Sequence, residues 1–256
     1  MRRVLATLGL GLALWAGTGP AMAERLVSAL SNQDISITSS FDGELLTLFG
    51  NVEPEAGSTQ RYVEGPYHVI VVVSGPHTNR VARRKSNVFG IWLNTEQVMF
   101  EDFPSYFQVL SSDKLADITD PPTLAVEGIL PEAQARHSAV AGWWNSVVYG
   151  RELVRLMTEK GLFGVHESGV SFLSTSAYKA SLSLPSNVPN GTFLAQTYLF
   201  KDGKIVGRKS EGFLVRKTGF ERFLGTSARE YPLLYGLTCV ILALFTGWLG
   251  GVVFRR

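Results

Sequence analysis

Hydrophobic positions follow three patterns along the chain, and each predicts a different kind of element. At the start, "MRRVLATLGLGLALWAGTGPAMAER" places two arginines before an uncharged apolar run from Val4 to Ala16, then Gly19-Pro20 and the small-x-small site Ala21-Met22-Ala23. That order predicts a secretory signal over residues 1–23 with cleavage after Ala23, by the general route rather than the twin-arginine one. At the other end, the 23 residues from Pro232 to Phe254 carry no charge. At about 1.5 Å per residue they cover roughly the 30 Å of a hydrocarbon core, which predicts a transmembrane helix. Tyr231, Tyr235 and Trp248 stand near its expected interfaces, and Arg255-Arg256 form a short tail. Arg216, Lys217, Arg222 and Arg229 outnumber that tail, but a long domain behind a signal is translocated largely regardless of its charge. The expected topology is therefore single-pass in the inner membrane, with residues 24–231 in the periplasm and 255–256 in the cytoplasm.

The third pattern, alternation, fills the exported part at 24–218. "DISITSS" alternates at Ile35 and Ile37, "GELLTLFGNV" continues as a strand, and "YHVIVVVSG" is an apolar run of the kind buried on both faces. "RVARRK", "FGIWLN", "EQVMFEDF" and "SYFQVLSS" extend the series. From about 113 to 165 the pattern becomes helical. Pro121, Pro122 and Pro131 break the first part, and Val140, Trp143 or Trp144, Val147, Leu153, Leu156 and Met157 predict one amphipathic helix that Gly161 can end. Strands then resume with "GVSFLS", with "YKASLSL", whose Ala180, Leu182 and Leu184 share a face, and with "TFLAQTYLF", a turn at Asp202-Gly203 and "IVGRKSEGFLVRK". Four late strands are few for a domain, so both halves should build one sandwich. The predicted fold is mainly β: an immunoglobulin- or fibronectin-like periplasmic β-sandwich with a helical insertion, followed by the C-terminal span. Its corner position is Phe193 in place of the usual tyrosine. Across 219–231, Phe220, Phe223, Leu224 and Tyr231 fall on one helical face, which suits a short helix on the membrane interface.

Charge removes one class of function. The chain has 24 Lys and Arg against 22 Asp and Glu. Loss of Arg2 and Arg3 with the signal leaves 22 of each, so the mature chain is formally neutral and has no electrostatic basis for general nucleic-acid affinity. The single cysteine, Cys239, lies in the span, so the exported domain must be stable without a disulfide.

Candidate chemistry is sparse. Arg83, Arg84 and Lys85 are consecutive, so on a strand Arg84 faces away from the other two. They read as a protected edge or as a surface for an acidic partner or lipid headgroups, with nearby Trp92 expected in the core. His68, His77, His137 and His166 show no metal-ligand spacing, and there is no nucleophile elbow or phosphate loop. No cofactor is expected. Trp143-Trp144, at the start of the predicted helix, can face a partner, since a helical insertion is not required for a sandwich to be stable. In the span, Ala243, Gly247 and Gly251 recur every fourth residue, with Gly236 extending the small face, a pattern that lets another helix pack closely.

Several stretches together carry a wider resemblance: "FDGELLTLFG", "VIVVVSGP", "VARRKSNVFGIWLN", "LPSNVPNGTF", "YLFKDGKIVGRKS" and "VRKTGFERFLGTSAREYPLLYG" running into "GWLGGVVFRR". The chain resembles the alphaproteobacterial transmembrane protein family, single-span proteins of similar length with an exported domain. The resemblance implies a transport-associated role, because its members are often encoded near exporters of the sulfite or organosulfonate type. It names no site residue. The expected function is thus a non-catalytic, membrane-anchored accessory or assembly subunit of a membrane complex. Its partners would be lipid and either a multi-span protein or a second copy through the span. The alternative is a tethered module that binds a periplasmic solute.

Overall fold

The computed structural model describes residues 24–38, 42–54, 63, 65–140, 145–218 and 220–253. The predicted signal at 1–23, Trp143, Trp144 and the terminal arginines lie outside the described residues. The mainly β sandwich with a helical insertion and a C-terminal apolar helix is what the chain forms.

One sheet has four strands in the order β1 (Arg25–Leu30), β3 (Gly43–Glu53), β10 (Ala177–Pro185) and β9 (Val170–Phe172). The other has six, in the order β2 (Asp34–Ile37), β12 (Lys204–Lys217), β11 (Gly191–Lys201), β4 (His68–Ser74), β7 (Phe107–Ser111) and β8 (Phe163–Glu167). Both sheets draw strands from both halves of the sequence, as expected. The "VIVVV" run of β4 shows why. Val69, Val71 and Val73 enter the core between the sheets with Leu46, Leu48, Leu182 and Phe193. Ile70 and Val72 project from the opposite face into a second core with Val109, Tyr198 and Phe200. A strand buried on both sides has no polar face to alternate with.

That second core is closed by helices. Between β7 and β8 the chain forms α1 (Leu115–Ile118), α2 (Pro121–Val126), α3 (Pro131–Ser138) and α4 (Ser146–Glu159). Leu115, Ile118, Leu124, Ala135, Val154 and Met157 pack onto the sheet from it. The single expected helix is therefore four. The three prolines that look like breaks sit at first or second helical positions, where the missing N–H costs nothing. Val140 is not helical: its N–H donates to the Met99 carbonyl at 3.2 Å. Nor is the insertion dispensable. Because β8 runs parallel to β7, a crossover must join them, and this one buries the outer sheet face. Gly161, at φ 70°, ends α4 as expected, with its N–H on the Thr158 carbonyl and Leu162 N–H on the Met157 carbonyl.

The strands expected around "RVARRK" and "FGIWLN" do not join the sandwich. They form a separate two-stranded arm, β5 (His77–Val88) with β6 (Ile91–Pro104). After β12 come α5 (Phe220–Glu230) and α6 (Pro232–Val253), the one helix among the described residues long and apolar enough to cross a membrane.

Candidate functional site

The arm gathers the basic residues singled out in the sequence. Its root is packed: Val98, Phe100 and Phe103 are buried in the second core, Phe103 stacks on Phe163 at 5.4 Å, and Phe100 lies against the position of Gly150 in α4. Beyond Val98 the arm leaves the core. Arg83, Arg84 and Lys85 are exposed, and Trp92, expected inside, is 67% exposed. Trp92 stands near the end of a ribbon that has no second layer to bury it. Register shifts at Thr78/Arg80 and Arg84/Lys85 add twist along the way.

Between arm and α4 runs a groove of about 510 Å³, with Val81, Arg83, Arg84 and Glu96 on one wall and Tyr149 and Glu152 among those on the other. Tyr149 Oη donates to Glu96 Oε2 at 2.7 Å, tying the arm to the helix, and this bond to a carboxylate holds the Tyr149 phenol above its ordinary pKa. Arg84 Nη1 lies 3.9 Å from Glu96 Oε1, and Arg83 makes no ion pair among the described residues. Such a groove offers two guanidiniums and apolar walls, and its two carboxylates offset much of the charge. It can bind a small anion or an extended side chain, and it holds no nucleophile paired with a base. In the sequence, Trp143-Trp144 immediately precede Asn145, the residue before α4.

The other candidates disperse. His68 contacts Asp113 at 3.0 Å, His77 contacts Asp102 at 3.1 Å, and His166 Nε2 lies 2.9 Å from Gln108 Oε1. Among the described residues, no group of three or more metal-ligating side chains is gathered. A compact polar cluster that sequence reading missed joins Glu24, Tyr67 and Lys201. Glu24 Oε1 accepts from Tyr67 Oη at 2.7 Å and from Lys201 Nζ at 3.2 Å, and burial followed by the Glu24 hydrogen bond raises the Tyr67 pKa. These three positions are 43 and 134 residues apart, so no local spacing could reveal them.

In α6, Gly236, Gly247 and Gly251 have open space where a side chain would begin, and Ala243 continues the stripe. Thr238 and Thr246 donate to the carbonyls of Leu234 and Leu242 at 2.8 and 2.9 Å, so their hydroxyls stay satisfied in an apolar solvent. In α5, Phe223 is exposed and Leu224 half-buried, with Tyr231 exposed at the junction and Tyr235 half-buried just beyond it; the Phe220 side chain lies outside those described. Helical bonding continues through the junction, from Tyr231 N–H to Ser227 O and from Tyr235 N–H to Tyr231 O.

The residue that sequence reading passed over is the turn itself. Phe89 and Gly90 connect β5 to β6 with φ of 51° and 83°, and Phe89 is 100% exposed. Two residues between two strands, the second a glycine, is a readable signal for such a turn. No curated protein matches the chain. One family does match, over residues 25–256, under the description "Putative transmembrane protein (Alph_Pro_TM)". With the apolar helix α6 in place at its C-terminal end, the chain belongs to this transmembrane protein family.

Proposed function

We propose that this protein is a non-catalytic, membrane-anchored accessory or assembly subunit of a membrane complex, with its sandwich in the periplasm and its C-terminus in the cytoplasm. The observation that carries the proposal is the division of labour along the chain. A packed domain with no gathered group of metal-ligating side chains among the described residues is joined by α5 to a span with an open small-residue stripe. Close helix approach along Gly236, Ala243, Gly247 and Gly251 would serve a multi-span partner or a second copy. An exporter of the sulfite or organosulfonate type is the partner that the family resemblance suggests. The sandwich is read as immunoglobulin-like. In support, β1-β3-β10-β9 opposite β12-β11-β4 follows the A-B-E-D and G-F-C orders of that fold. The signal at 1–23 supports export of this domain.

Purification of the full chain from native membranes in mild detergent, with mass spectrometry of co-purifying chains, tests the reading. A stoichiometric multi-span protein is expected. Recovery of the protein alone, under conditions that preserve other membrane complexes, would count against it.

The second reading, a tethered solute-binding module, is favoured by the groove at Arg83 and Arg84. Calorimetric titration of the purified full chain with sulfite and small sulfonates separates the two readings. Saturable binding that is lost in Arg83→Gln, Arg84→Gln would support this module; absence of heat would leave the accessory role.

A further inference from the structure

The arm is not an appended hairpin but the prolongation of two sheet strands. Gly75 N–H donates to Tyr106 O at 2.9 Å and Ser105 N–H to Pro76 O at 3.0 Å. The ladder therefore runs from the Ser74–Phe107 pair straight into His77–Pro104. It leaves the sheet at the end where Gly191 pairs with Val215, and Pro76 lies against Gly191 there. At the same end β12 hands the chain to α5 and α6. Arm and membrane helix thus depart from one end of the sandwich. The 12 residues of β5 give an arm on the order of 40 Å long before twist.

The arm's tip is costly and has no use inside the protein. Among the described residues, two turns have both central residues at positive φ. One is Asp202-Gly203, at 51° and 77°, with the residue types that tolerate this geometry. The other is Phe89-Gly90, where a bulky residue takes the left-handed conformation and buries nothing. Ile91, Trp92 and Leu93 beside it are exposed as well. Behind this apolar end come Arg83, Arg84 and Lys85, opposed among residues 81–97 by the single acid Glu96. An apolar tip with a cationic collar matches the layering of a lipid interface, in which anionic headgroups overlie hydrocarbon.

We propose that the arm is a second membrane contact, with Phe89, Ile91, Trp92 and Leu93 entering the interface of the bilayer that holds α6 while Arg83 and Lys85 meet anionic headgroups. The proposal rests on α6 crossing a membrane and on no particular partner. Phe89 and Lys85 are four residues apart, roughly 13 Å along a strand. A ring about 5–10 Å below the headgroups therefore leaves the ammonium at their level. With α6 fixing one point and the arm another, the sandwich would be held in one orientation to the bilayer.

The test uses the full chain carrying Cys239→Ser and Phe89→Cys, labelled at residue 89 with an environment-sensitive fluorophore. It is reconstituted into phosphatidylcholine vesicles with or without phosphatidylglycerol and with headgroup or shallow acyl nitroxides. An Asp202→Cys chain labelled at the opposite end of the sandwich is the control. The residue 89 probe is expected to lose roughly half of its emission to shallow nitroxides and the residue 202 probe essentially none. Phosphatidylglycerol should strengthen the effect, and Arg83→Glu, Lys85→Glu should cancel that gain. Equal, weak quenching at both positions in both lipids would overturn the proposal, as would a residue 89 response that appears only when other membrane proteins are added. These vesicles contain no other protein, so failure here leaves the accessory reading standing, and failure of partner capture leaves this contact standing.

Discussion

Phe89 shows what single residues reveal in this chain. Placing an L-residue other than Asn, Asp or Gly at φ 51° costs about 1–2 kcal/mol, and nothing around the fully exposed ring offsets that. Phe89→Asn should therefore raise stability by about 0.5–1 kcal/mol in urea unfolding followed by circular dichroism. A loss of stability would mean that the ring has an internal partner. Gly50 is the opposite case. Tyr178 lies across it from β10, and a Cβ there would sit 2.2 Å from the phenol ring and its oxygen. Because that ring is wholly buried, Gly50→Ala should cost about 1–3 kcal/mol in the same measurement. Burial also pushes the Tyr178 pKa up to about 12. A raised pKa contributes stability that is fully present below the unfolded value near 10 and is lost as pH rises towards 12. Tyr178→Phe should flatten that alkaline limb and leave the acid limb unchanged in pH-dependent melts.

At the scale of elements, the arm divides into a structural root and a functional end. Phe100 is fully buried between sheet and α4, so Phe100→Ala should lower stability by about 3–5 kcal/mol. Trp92→Ala, at the exposed end, should stay within about 0.5 kcal/mol of the parent. Urea titrations of the two variants side by side check this contrast, and a large loss at Trp92 would place it in a core. The contrast also shows what was legible in the sequence. The alternation of Ala180, Leu182 and Leu184, the unbroken "VIVVV" and the Asp202-Gly203 turn each carry a local signal, and the structure follows them. The apolar run Ile91 to Leu93 says strand equally well, but it does not say whether another layer covers that strand. Pro121, Pro122 and Pro131 misled for a related reason: proline forbids a helix interior and favours a helix start. Local sequence alone does not distinguish a broken helix from several short ones.

For the whole molecule, the described residues form three layers and one apolar helix long enough to span a membrane. The four-stranded sheet, the six-stranded sheet and the helical layer each cover a face of the next, which encloses the two apolar cores. What remains apolar and exposed among the described residues includes the arm's end, one side of α4, the length of α6, and Val27, Leu45 and Phe49 on the outer face of the four-stranded sheet. The site was legible only in part. Arg83, Arg84 and the small-residue stripe could be named from sequence, whereas the groove, the Tyr149–Glu96 link and the Glu24 cluster depend on contacts between residues far apart in the chain.

The most direct test is the stoichiometry of the complex extracted from native membranes by wild type and by Gly247→Leu, Gly251→Leu, quantified by mass spectrometry. A multi-span partner is expected at fixed ratio with the wild type and should be lost from the variant, whose leucines hold the helices apart. A wild-type protein that emerges alone, or a partner retained equally by both, would contradict assembly through this face of the span.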